Sequence, residues 1–160
     1  MNMEEISAAN QSELEKRYRI TTLIVAGQMT TTVILAIVGW IYAGKSESAT
    51  DSRSLMPLWI AVLFIAVGTF LLRRILFKWD RLRDVTLLKG FSGLFATLQT
   101  NSIVLGALAE AIAVIGFIIA VLNGNAADMF RAVAVALIVF FINFPRKSVW
   151  KKIAASMKKV

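Results

Sequence analysis

Residues 102–122, SIVLGALAEAIAVIGFIIAVL, form the stretch on which the reading of the chain turns. They are numerous and apolar enough to cross a bilayer, because about 20 helical residues span the hydrocarbon. Ser102, Gly106, Ala109, Ala113, Gly116 and Ala120 recur alternately four and three residues apart, which puts six small side chains on one helix face. Another backbone can approach closely along such a face. Glu110 stands beside that stripe, near the middle of the span. A carboxylate at mid-membrane costs about 2.5–3.5 kcal/mol on insertion scales, so a function or a partner has to offset it.

Three further apolar runs of spanning length occur, at about 20–43, 55–72 and 126–144. With 160 residues, 58% of them hydrophobic, and a mean hydropathy of +0.69, the chain is richer in apolar residues than a soluble domain. The class expected is all-α: a polytopic membrane protein built as a four-transmembrane-helix bundle. The net charge of +8 does not point to nucleic acid, because the Lys and Arg residues cluster in the lead, the middle loop and the tail. The two alternate loops are poor in them, so the positive-inside rule places both termini in the cytoplasm. There is no cysteine and no histidine, hence no disulfide, thiol chemistry or imidazole metal ligand. No cofactor and no metal are expected.

Residues 1–19 read as a short cytoplasmic lead, with Ser12 and Glu15 at capping-box spacing. The first apolar run is too long for a secretory signal and has no small-residue cleavage site, so it is expected to remain as a helix. Without a transit-like leader, a bacterial plasma membrane is expected rather than an organelle. Thr21, Thr22, Gln28 and Thr30 to Thr32 dilute that first span. Threonine hydroxyls can bond carbonyls one turn back, whereas Gln28 needs a partner, so this face is expected to meet protein.

Residues 44–54 form a turn-rich polar loop, flanked by Trp40, Tyr42 and Trp59 as an interfacial aromatic belt would be. Pro57 falls in the first turn of the second span, where proline is tolerated. Residues 73–101 form a basic stretch carrying Arg73, Arg74, Lys78, Arg81 and Arg83. Trp79, Leu82, Val85 and Leu88, then Phe91, Leu94, Phe95 and Leu98, are spaced as in amphipathic helices, with a break expected at Gly90 and Gly93. The stretch reads either as a solvated cytoplasmic loop or as a platform for anionic lipid or a partner. Asn123-Gly124-Asn125 is a tight-turn signal. The tail at 146–160 is basic, with Lys151 and Lys152, and Val149, Ile153 and Met157 recur at helical spacing. It is expected to lie on the anionic cytoplasmic leaflet.

Glu110 shares one ridge with Gly106 and Val114. A carboxyl at that depth can be neutral while it faces lipid and ionised once it reaches water or a cation. That is the physical logic of an ion carrier, and Gln28, Thr31 and Thr32 could complete its site. Residues 97–122 also resemble the carboxylate-bearing helix of the rotary ATPase c subunit, the proteolipid, through Ala107, Leu108, Ala109, Glu110, Ala111, Gly116 and the apolar run to Leu122. The resemblance implies that Glu110 carries a proton or sodium within an assembly of subunits. It covers about one sixth of the chain, and neither 20–43 nor 55–72 carries the dense glycine run of that family's partner helix.

The alternative is a structural or accessory subunit, or a homo-oligomer, in which Glu110 only orders helix packing. Arg131, three residues after Asp128, is expected to pair with it. About 15–18 Å of depth separate Arg131 from Glu110, too far for a direct bridge. No Ser/His, His/Cys, paired-carboxylate or phosphate-loop pattern supports an enzyme. The partners expected are the lipid bilayer, further copies or other membrane subunits, and a proton or sodium ion, but not nucleic acid.

Overall fold

The computed structural model describes residues 8–43 and 55–157. The polar loop expected at 44–54 lies outside the described residues. The described residues are almost wholly helical: α1 is Ala8–Ala43, α2 Met56–Leu76, α3 Trp79–Asn123, α4 Ala126–Asn143 and α5 Lys147–Met157. Four helical segments are long and apolar enough to cross a membrane, so the four-helix membrane class expected from sequence is the class observed.

The helix ends follow local chemistry. Pro57 sits in the first turn of α2, where its missing N–H would be unpaired in any case. Gly124 closes α3 with φ +64, and the Asn125 side chain caps α4 by accepting from the Ala127 N–H at 3.0 Å. Gly90, at φ +66 and ψ −169, breaks α3 into an arm over 79–89 and a long segment over 91–123. A residue with a Cβ is strained in that backbone region, so the break falls on the glycine. The capping box expected at Ser12 is not formed, because α1 is already helical from Ala8. The Ser12 hydroxyl donates back to the Ala9 carbonyl at 2.8 Å, and Glu15 turns outward to Lys147 at 2.6 Å.

The long segment of α3 is the hub. It packs against α1 and α4, and α2 also lies against both α3 and α4. Residues of α1 meet α3 in rising order: Glu13 at Ser92, Arg17 at Gln99, Gln28 at Gly106 and Gly39 at Phe117. The two helices are therefore parallel and in one register over their shared length. Helix α4 returns antiparallel after the two-residue turn.

Two cores result. One lies among the spans and is built from Val25, Ala36, Ala109, Ile112, Ala113, Ile119, Ala120, Met129, Val133 and Phe140. The other lies at the end of the bundle next to the Gly90 break and joins Leu14, Leu82, Leu94, Phe95, Leu98, Trp150, Ala154 and Met157, with Tyr18 and Phe91 packed on it. Every described Lys and Arg except Arg131 is at this second end, called here the basic end.

The tail differs from the sequence expectation. The buried face of α5 is Trp150, Ala154 and Met157, while Val149 stays 43% exposed. Trp150 meets the Tyr18 ring edge-on at 5.8 Å, and the Tyr18 hydroxyl donates to the Pro145 carbonyl at 3.3 Å. The indole has the largest apolar area on the helix, and burying it against α1 and α3 sets which face turns inward. In the 79–89 arm only Leu82 of the expected stripe is buried. Val85 is half-buried, and Trp79 and Leu88 are exposed.

Candidate functional site

The six small residues of α3 are all buried, and the chain itself covers them. Gln28 of α1 lies so close over Gly106 that a Cβ there would strike its side-chain oxygen. A Cβ at Gly116 would strike the Ala132 methyl of α4. The stripe thus admits α1 and α4 of the same chain at short range, the use that small residues have in membrane helix pairs.

Glu110 is one turn beyond Gly106 on the same ridge. It is half-buried, between the covered stripe and the exposed Ala107 and Val114. It has neither a hydrogen bond nor an ion pair with any described residue. Across the seam the Gln28 side-chain oxygen is buried and also lacks a hydrogen-bond partner among the described residues. One turn further along α1 is Thr32, fully buried, whose hydroxyl donates to the Gln28 backbone carbonyl at 3.1 Å. The parallel register sets Thr32 at the level of Glu110. Thr31 is exposed beside it and donates to the Gly27 carbonyl at 3.1 Å. Each hydroxyl has spent its proton on its own helix and can offer only lone pairs.

The register thus brings the Gln28 amide oxygen and the Thr32 oxygen to the α3 face near Glu110, which has no bonded donor, whereas Thr31 stays exposed outside the seam. Buried acceptors left unpaired cost about 1–3 kcal/mol each. A proton on the carboxyl or a cation among the oxygens relieves that cost. Oxygen donors of this kind suit hard cations. No group of three or more Asp, Glu, His or Cys residues capable of holding a metal occurs among the described residues.

The charges expected to meet headgroups or partners fall into several environments. Arg73 donates to the Ile142 carbonyl at the end of α4, close to Arg146. Arg74 stacks over Phe70 at 5.8 Å. Lys78 pairs loosely with Asp80 at 3.6 Å, Arg81 and Arg83 are exposed on the arm, and Lys151 and Lys152 lie on α5. At the far end Arg131 bonds Asp128 at 3.0 Å, as its spacing led one to expect, and Asn123 donates to the same carboxylate at 2.6 Å.

Three groups at the basic end were not singled out from sequence. Glu13 accepts from the Ser92 hydroxyl at 2.7 Å and from Arg17 Nε at 2.9 Å, and these bonds, Ser92 first, hold its carboxyl below the usual range. Lys147 does the same for Glu15. Arg146 follows the proline that ends the fourth span, which was the available signal. Comparison of the chain with family models, curated proteins and solved structures gave no match.

Proposed function

We propose that the protein is a small multi-pass membrane protein of the plasma membrane, its basic end in the cytoplasm, that takes up and releases a proton or monovalent cation at Glu110 for ion translocation. One observation carries this: Glu110, one turn from Gly106 at mid-span, and the Gln28 side-chain oxygen lying over Gly106 both lack a hydrogen-bond partner among the described residues. A carboxylate without a bonded donor and an unpaired amide oxygen one turn away are groups that a proton or cation would complete. The even placement of Lys and Arg at one end supports the orientation, and the c-subunit-like sequence around Glu110 agrees with the chemistry.

The membrane potential offers about 2.3 kcal/mol per charge per 100 mV, so one carboxylate suffices to couple ion movement to work. The accessory-subunit alternative is favoured by the covered stripe. Its small residues are used within the chain, and Glu110, on the margin of the bundle, is open to a donor from a second chain.

The test is ion exchange in vesicles containing the purified protein, with proton and sodium gradients applied separately. Exchange that disappears in Glu110→Gln, with helicity by circular dichroism unchanged, is the expected result. Equal exchange in both proteins counts against the carrier reading. The accessory reading then requires that Glu110→Gln release a partner chain from the complex isolated from native membranes.

A further inference from the structure

The second feature of the membrane region owes nothing to Glu110. Helices α2 and α4 leave between them an open groove of about 300 Å³, lined by Ala66, Val67, Phe70, Val135, Ile138 and Ile142. Its lining is apolar, and Val67, Phe70 and Ile138 are each at least half exposed. At the basic end the groove runs into charge. Arg73 is one turn past Phe70 and donates to the carbonyl of Ile142, itself a lining residue. Arg146 follows four residues after Ile142, just past the end of α4, and its charge acts on Arg73. Arg74 holds the Phe70 ring at the mouth from the other side. Neither Arg73 nor Arg146 forms an ion pair with a carboxylate among the described residues, although four other pairs occur among them.

We infer that this groove is a binding site for an anionic phospholipid. One acyl chain lies between α2 and α4, and the phosphate is held by Arg73 and Arg146. The volume is at the lower end of small-ligand pockets, which suits a single chain rather than a whole lipid. Two neighbouring guanidiniums without a counter-ion call for a shared anion, and phosphate accepts from both by paired N–H bonds. Basic pockets between membrane helices on the cytoplasmic side are suited to such headgroups. The apolar lining decides the source of the phosphate. A free phosphate gains nothing from Phe70 or Ile138, whereas a lipid fills the groove and answers the charge together.

The experiment is native mass spectrometry of the full chain released from nanodiscs holding equal amounts of phosphatidylglycerol and phosphatidylcholine. One retained phosphatidylglycerol per chain, in preference to phosphatidylcholine, is expected. Arg146→Gln, an exposed position, should lower retention about fivefold or more, the factor one arginine contributes beside an anionic surface. Val67→Trp, which fills the groove without touching the arginines, should lower it comparably, while Lys152→Gln leaves it unchanged. Equal retention of both lipids, no effect of either site variant, or an equal effect of Lys152→Gln would overturn the assignment. So would displacement of the lipid by millimolar inorganic phosphate, which would mark a free-anion site.

Discussion

Glu13 and Glu110 lie on the same pair of parallel helices, 97 positions apart in sequence and two membrane environments apart in structure. At the basic end, the α1–α3 seam gives Glu13 two donors, one from each helix. At mid-span the same seam gives Glu110 none, and it sets an unpartnered amide oxygen nearby. The packing changes in parallel. Around Glu13 the core uses Trp150, Phe95 and Leu98; along the α3 stripe beside Glu110 it uses Gly106, Ala109 and Ala113, with Thr32 buried on α1. Where water surrounds the protein, large apolar area stabilises the contact. Where lipid surrounds it, close approach of backbones must do so, because hydrocarbon already solvates apolar side chains. A carboxylate that is fully bonded anchors structure. One left without donors, at a depth where that is costly, is the one we propose exchanges its ion.

The largest effect is expected when the middle of the seam is made to resemble its end. Gln28→Lys supplies a cation across from Glu110. Labelling of Glu110 by an apolar carbodiimide, which needs the protonated carboxyl, should fall about 10- to 1,000-fold, the range over which an opposite charge at ~4–6 Å favours ionisation. Undiminished labelling would mean that Gln28 and Glu110 do not share a site.

Next in size is Trp150→Ala, which empties the aromatic core at the basic end. A loss of about 3–5 kcal/mol is usual for a buried Trp. Hydrogen exchange should show α5 and the 79–89 arm losing protection while 102–122 keeps its own. Uniform loss would show the two cores to be one cooperative unit. Gly116→Val forces side-chain atoms into Ala132 and should cost about 1–3 kcal/mol, read as a lower melting temperature in detergent. A neutral outcome would mean that α3 and α4 separate freely.

The smallest effect concerns pH. Glu13 and Glu15 have folded-state values below the usual one. Their stabilisation is therefore fully present above about pH 4.3, the ordinary glutamate value, and is lost as pH falls through the lowered values. Glu15 is exposed and Glu13 only half-buried, so screening keeps the effect small. Protection factors at Leu14 to Tyr18 and in α5, taken relative to the intrinsic exchange rate at each pH, should fall below pH 4, and Ser92→Ala should move the Glu13 titration upward. An unchanged titration in that variant would mean that Ser92 does not hold Glu13.

Much of this fold could be read from the sequence because membrane helices announce themselves. The spans follow from apolar length, the 123–125 turn and the Gly90 break from glycine chemistry, and the buried face of α3 from six small residues at 3–4 spacing. Periodicity identifies a face but not its neighbour. Nothing local indicated that Gln28 covers Gly106 or that Ala132 meets Gly116. In the tail, residues 149, 153 and 157 and residues 150, 154 and 157 are both spaced for a helix. Only the tertiary partner of Trp150 decides between them. Ser12 and Glu15 had capping spacing, yet the helix formers ahead of them carry α1 through. At the candidate site, Glu110 was legible from its cost alone. The unbonded oxygen of Gln28 required the register of α1 on α3.

The central claim, that Glu110 is an exchangeable site open to the lipid phase, is tested most directly by its modification with an apolar carbodiimide in native membranes. The readout is intact mass, with Glu110→Gln as control. The expected result is one adduct per chain in intact membranes, absent in Glu110→Gln and slowed by sodium if sodium is the ion carried. No adduct in intact membranes, with ready labelling once detergent separates the chains, would contradict it and place Glu110 in a sealed contact with another subunit.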